Sequence, residues 1–292
     1  GAITMSSPVV LTGSSIMDVT ASSGTGANIT FFNTLDGTIS EMENLTLTPG
    51  TGDIALGEAV GSITPLGVIT FTNGTNITAS DPITATSLTQ SLGTGLTTLS
   101  GATLSANLTL TGSQFLLKGD YSLNQASIAN SDLLQLGNGS SFDLSGTFSQ
   151  IGLGLVQMGT TITTVGSNIS FNRPVTLTQG SSLSTGGTVG TISFAATMDG
   201  GYGLVLNAGN VTFSDIVGGG ISLTSLNVTA SGLINVAANQ TVSLGPMSYI
   251  GDVVLTTAST TTQFIDGGAS GITFQPSSSP AIAGNGGDCN LT

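Results

Sequence analysis

The sequence predicts an all-β fold: a right-handed parallel β-helix, or β-solenoid, with coils of about 20 residues. Three observations predict it. The first is a chain-long series of short apolar-alternating runs separated by Gly, Asn, Ser and Asp, as at 204–206, 211–213 and 223–228. The second is an internal repeat. With Asp53 set against Asn210, Ile54 meets Val211, Leu56 meets Phe213, Val60-Gly61 meets Val217-Gly218, and Leu66, Ile69 and Phe71 meet Leu223, Leu226 and Val228. Just upstream, Thr34-Leu35-Asp36-Gly37 matches Thr197-Met198-Asp199-Gly200. The unit spans about 40–45 residues, near 28–74 and 191–232, and its spacing drifts by a few residues between copies. Two coils of about 20 residues fill it, and stacking of such units is how a repeat of short strands buries its core. The third is the 43 glycines, which suit corners that need positive φ. Right-handedness follows from the rule for parallel crossovers. Run spacing by itself also allows a sandwich or barrel. The Asp-Gly and Asn-Gly pairs decide against hairpins, because Asp36-Gly37, Asn73-Gly74 and Asp266-Gly267 fall at matching places in a repeat.

Taken in order, residues 1–27 hold strands at 8–11 and 16–19 and form a first, capping coil. Residues 28–80 are the first clear repeat. Asn28-Ile29-Thr30-Phe31 returns as Asn168-Ile169-Ser170-Phe171, and more loosely as Asn210-Val211-Thr212-Phe213 and Gly271-Ile272-Thr273-Phe274. In each, the first and third apolar residues face one way and the hydroxyl residue the other. Residues 81–160 read as a degenerate middle. A helix over 123–136 competes there with strands and loops, and strands are preferred because a helix would interrupt the stacking. The clear pattern resumes over 161–232 and continues to 274. No composition break divides residues 1–275, which read as one solenoid domain. Residues 276–292 read as a Ser/Pro/Gly-rich tail.

Composition excludes several functions. Charged residues are 6% of the chain, against about 25% in ordinary domains, so an uncharged surface or a membrane span must be considered. No uninterrupted apolar run approaches about 18 residues, which excludes a helical span. The net charge of −13, with only Lys118 and Arg173 as basic side chains, excludes nucleic acid and anionic lipid as partners. With 38% hydrophobic residues in period-two runs, the chain buries enough apolar surface to escape disorder. No signal peptide stands at Gly1-Ala2-Ile3-Thr4, and this is no argument for a cytoplasmic location.

The residues at 45–72 (LTLTPGTGDIALGEAVGSITPLGVITFT) and 203–232 (GLVLNAGNVTFSDIVGGGISLTSLNVTASG) resemble the repeats of very large secreted bacterial proteins of the filamentous-haemagglutinin and autotransporter-passenger type. The resemblance covers 28–80 and 161–274. It implies a right-handed parallel β-helix outside the cell, used for adhesion or surface structure. Such passengers continue into a membrane barrel or a longer stalk, and neither is seen in this sequence.

Chemistry is sparse. There is no His, so neither a Ser-His-Asp arrangement nor an imidazole metal site can form. A polysaccharide-cleaving β-helix would have only Lys118 and Arg173 to hold an acidic substrate. Glu41 and Glu43, with Asp36 or Asp53, are candidate calcium ligands, but solvated acids on a turn are the preferred account. Asp199 and Asp266 open Asp-Gly-Gly sequences that read as plain turns. Tyr121, Tyr202 and Tyr249 are too scattered for a sugar platform. No catalytic, cofactor or metal residue is expected. Acceptor motifs for N-glycosylation occur at Asn28, Asn44, Asn73, Asn107, Asn168 and Asn227, among others, and stacked Asn and Thr ladders would produce them without sugar. Cys289 is either a free thiol on the tail or half of an intermolecular disulfide.

The expected function is a non-enzymatic extracellular structural subunit that self-associates through strand edges into a fibre, sheath or surface layer. Residues 1–27 favour assembly because Asp18 is their only charged side chain. The alternative is an adhesin segment that displays residues 81–160 to a cell-surface glycan or protein.

Overall fold

The computed structural model describes residues 1–20, 25–256 and 262–277, together with the backbone of Ile282–Gly284. Cys289 and most of the tail lie outside these residues. All regular structure described is β-strand, and the strands stack in parallel coils about 21 residues apart. The helix considered over 123–136 is absent: Asp120–Leu123, Gln125–Asn130 and Leu133–Leu136 are strands. The chain forms two compact units, residues 1–144 with 152–154, and residues 145–151 with 155–292.

In the first unit each coil contributes three inward rows. One runs Ile3, Ile29, Ile54, Ile77, Thr97, Phe115 and Leu134. The second runs Val9, Leu35, Val60, Ile83, Ala102, Tyr121 and Phe142. The third runs Met17, Leu47, Phe71, Gln90, Leu110 and Ile128. In-register parallel pairing puts like side chains directly above one another, and two-residue alternation sends Thr46, Thr70, Thr89 and Thr109 outward. Two polar side chains that enter the core of this unit are paired there. The Thr97 hydroxyl donates to Gln90 Oε1 at 2.9 Å, and the Tyr121 hydroxyl donates to the Leu99 carbonyl at 3.0 Å. The residues read as a degenerate middle form regular strands in short coils. The sequence looks irregular there because the inward positions change identity from coil to coil.

The second unit explains the repeat length. Ile169 pairs with Ile192, 23 residues on, and Ile192 with Val211, 19 on; Val211 then pairs with Ile234, 23 on, and Ile234 with Val253, 19 on. Along this row a longer and a shorter step alternate and two coils span 42 residues, whereas the row Leu183, Leu206, Val228, Tyr249 steps by 23, 22 and 21. A column of aromatic rings fills this core. Phe148, Phe171, Phe194 and Phe213 follow one another at centroid distances of 5.5, 5.5 and 5.8 Å.

Candidate functional site

The repeated segment builds a repeated corner. In the first unit Asp36 is the middle residue of the strand Leu35–Gly37 and is buried. Its Oδ1 accepts hydrogen bonds from the backbone N–H of Ile63 at 2.8 Å and of Thr64 at 3.2 Å, one coil further on. In the second unit Asp199 accepts from the N–H of Gly220 at 2.7 Å and of Ile221 at 3.1 Å. Each clamped loop follows a glycine with positive φ, Gly61 at 67° and Gly218 at 70°. Each glycine donates its N–H across the coils at 2.7 Å, to Leu35 and to Met198 respectively. The carboxylates satisfy backbone donors that would otherwise lack partners where the strand ladder stops. Asp266 does the same for the N–H groups of Gly268 and Gly271. Asp199 and Asp266 are the last residues of their strands, each followed by a glycine that leads out of the ladder, whereas Asp36-Gly37 lies within a strand.

Glu43 corrects the picture of two solvated acids. Glu41 is exposed and stands at φ 61°, but Glu43 is buried. Its Oε1 accepts from the Thr38 hydroxyl at 2.5 Å and the Ile39 N–H at 3.1 Å, and its carbonyl accepts from the Gly67 N–H at 2.8 Å. The Thr38 hydroxyl holds this carboxyl below the usual glutamate range; burial works against the shift, and the Ile39 amide adds to it. The folded value lies below the unfolded one. The stabilisation is therefore complete above the ordinary glutamate range and is lost as pH falls through the depressed folded value. On acidification the amides of residues 38–43 should lose hydrogen-exchange protection before the flanking strands do, and Glu43→Gln should remove that pH dependence. Unchanged protection across the acid range would contradict the latch.

The Asn residues read as glycosylation acceptors have structural partners. Asn28 Oδ1 accepts from the Asp53 N–H, Asp53 Oδ1 from Asn76, and Asn76 Oδ1 from Leu96, at 2.9, 2.8 and 3.2 Å. Asn44, Asn168 and Asn210 accept in the same way from Val68, Thr191 and Leu233. Asn73 accepts from Gly50, and Asn107 from the Asn124 side chain. Asn227 faces out of its strand beside Val205 and Ser248. The Asn-X-Thr/Ser spacing at Asn28, Asn44, Asn168 and Asn210 follows from the fold: an anchoring Asn, one inward apolar residue, then one outward hydroxyl.

Lys118 is in the first unit and Arg173 in the second. Tyr121 and Tyr249 are buried, and burial raises both phenols well above their ordinary value, whereas Tyr202 is half-exposed. Among the described residues, no group of three or more Cys, Asp or Glu side chains is placed to hold a metal ion, and no helix is long and apolar enough to cross a membrane. The loops imagined over 81–160 are strands joined by short turns. Longer connections lie elsewhere among the described residues, at 38–44, 57–65 and 214–224.

Parallel coils, inward rows and capped corners define a β-solenoid repeat protein. Comparison with protein-family models, curated proteins and solved structures finds no match to this chain.

Proposed function

We propose that this protein is a non-enzymatic extracellular structural subunit whose solenoid associates with further copies through its strand edges. The observation that carries the proposal is the first coil. Ile3–Met5, Val9–Leu11 and Ser15–Asp18 each hydrogen-bond to the following coil on one side, with the other edge open among the described residues. The inward Ile3, Met5, Val9 and Met17 are only half-covered there. Asp18 is the one charged side chain on these strands, so little opposes addition of another coil. The likeness of the repeats to haemagglutinin and autotransporter passengers supports an extracellular setting.

The test is electron microscopy of the purified chain with and without reductant. Filaments or sheets are expected, and their loss on reduction would assign Cys289 to an intermolecular disulfide. Dispersed short rods at high concentration would rule out self-assembly. A second reading, an adhesin segment, is favoured by one feature: the exposed apolar residues held rigidly on the 38–43 and 62–65 loops.

A further inference from the structure

The 38–43 connection is anchored in four ways. Glu43 pins its two ends from inside. The Glu41 N–H donates to the Pro65 carbonyl at 2.8 Å, and the Gly37 N–H donates to the Thr64 carbonyl at 3.1 Å. Asp36 holds Ile63 and Thr64 from below. Two loops on successive coils are thus bonded to each other and to two buried carboxylates. At their tip stand Ile39, Met42 and Ile63, exposed by 61%, 64% and 82%. The anchored backbone beneath these apolar side chains has little entropy left to lose when a partner covers them.

Charge says which partner. Glu41 lies between Ile39 and Met42, and exposed Glu58 lies on the segment leading to Ile63. The segments packed around the tip, 9–11, 35–44 and 57–67, carry Asp36, Glu41, Glu43 and Glu58 and no Lys or Arg. The complementary surface is an apolar pocket with a basic rim. A second copy cannot supply that rim. The chain holds two basic side chains, Lys118 and Arg173, and each copy brings a net charge of −13.

We propose that the Ile39/Met42/Ile63 corner is a heterotypic docking knob for a different protein that presents an apolar pocket edged by Lys or Arg. This inference does not depend on end-to-end assembly. The probe is a fluorescent synthetic amphipathic helix of alternating Leu and Lys faces, titrated against the full chain by anisotropy at low and high salt. The parent should bind it, more weakly as salt rises. The variant Ile39→Ser/Met42→Ser/Ile63→Ser should bind about tenfold less tightly. Val165→Ser/Val189→Ser, which removes exposed apolar side chains from the second unit, should leave binding unchanged. Because all five side chains are exposed, the variants should keep the parent circular dichroism. Equal binding by the corner variant and the parent would overturn the proposal. So would loss of a dimer of the chain itself on corner substitution, or corner-dependent adsorption to phosphatidylcholine vesicles.

Discussion

Phe194→Ala should lower the unfolding free energy by about 3–5 kcal/mol, measured by denaturant unfolding. Phe194 is the inner ring of a column, stacked at 5.5 Å on Phe171 and 5.8 Å on Phe213, with interplanar angles of 4° and 9°. It is almost wholly buried. Its neighbours are rings held by their own strands, so they cannot collapse into the space that alanine would leave. The loss should therefore include a large cavity contribution as well as the transfer contribution. Outward-facing Ser193→Ala on the same strand is the control and should change stability by no more than about 0.5 kcal/mol. A loss below about 1 kcal/mol for Phe194→Ala would mean that this core is loose or differently packed.

The second large effect is at the corners. Gly61→Ala should cost about 3 kcal/mol, and Gly218→Ala a similar amount. Both glycines have positive φ, which an L-residue adopts at a cost of about 1–2 kcal/mol. A Cβ on Gly61 would also stand 2.0 Å from the Thr84 carbonyl oxygen, and one on Gly218 2.3 Å from that of Thr241. Those oxygens belong to the next coil, so relief requires the coils to part. A replacement that left the melting temperature unchanged at both sites would show that the corners can rearrange. The outcome would then contradict the account of the repeat given above, because the Val60-Gly61 and Val217-Gly218 pairs are its most regular feature.

Much of this corner is legible in the sequence. The alignment that set Asp36 against Asp199, and Gly61 against Gly218, marks the same clamp twice. The residues recur because the same backbone donors must be satisfied at the same turn. The drift in spacing also has a physical meaning. Asp36 and Asp53 stand 17 apart, whereas Asp199 and Asn210 stand 11 apart. Most of the difference falls in the 38–43 loop with its buried Glu43, and the rest in the turn at 49–52. In the sequence Glu41 and Glu43 look alike, because two-residue spacing puts both on one face of an extended strand. The chain is not extended there. Glu41 turns into the left-handed region, so one carboxylate faces water and the other enters the loop.

By itself the sequence determined the strand class, the stacking and the repeat. Alternation of apolar and hydroxyl residues is local, and a parallel in-register stack repeats that local choice at every coil. It determined that glycines recur at the corners, where the backbone needs positive φ. Tertiary structure alone decided that residues 81–160 are as regular as the rest, because registry there is kept by shape and burial while residue identity varies. It also decided which acid is buried, which acceptor Asn anchors a neighbouring coil, and that Ile39, Met42 and Ile63 share one corner. Those facts depend on contacts between residues about one coil apart, and no local pattern encodes which groups meet across that distance.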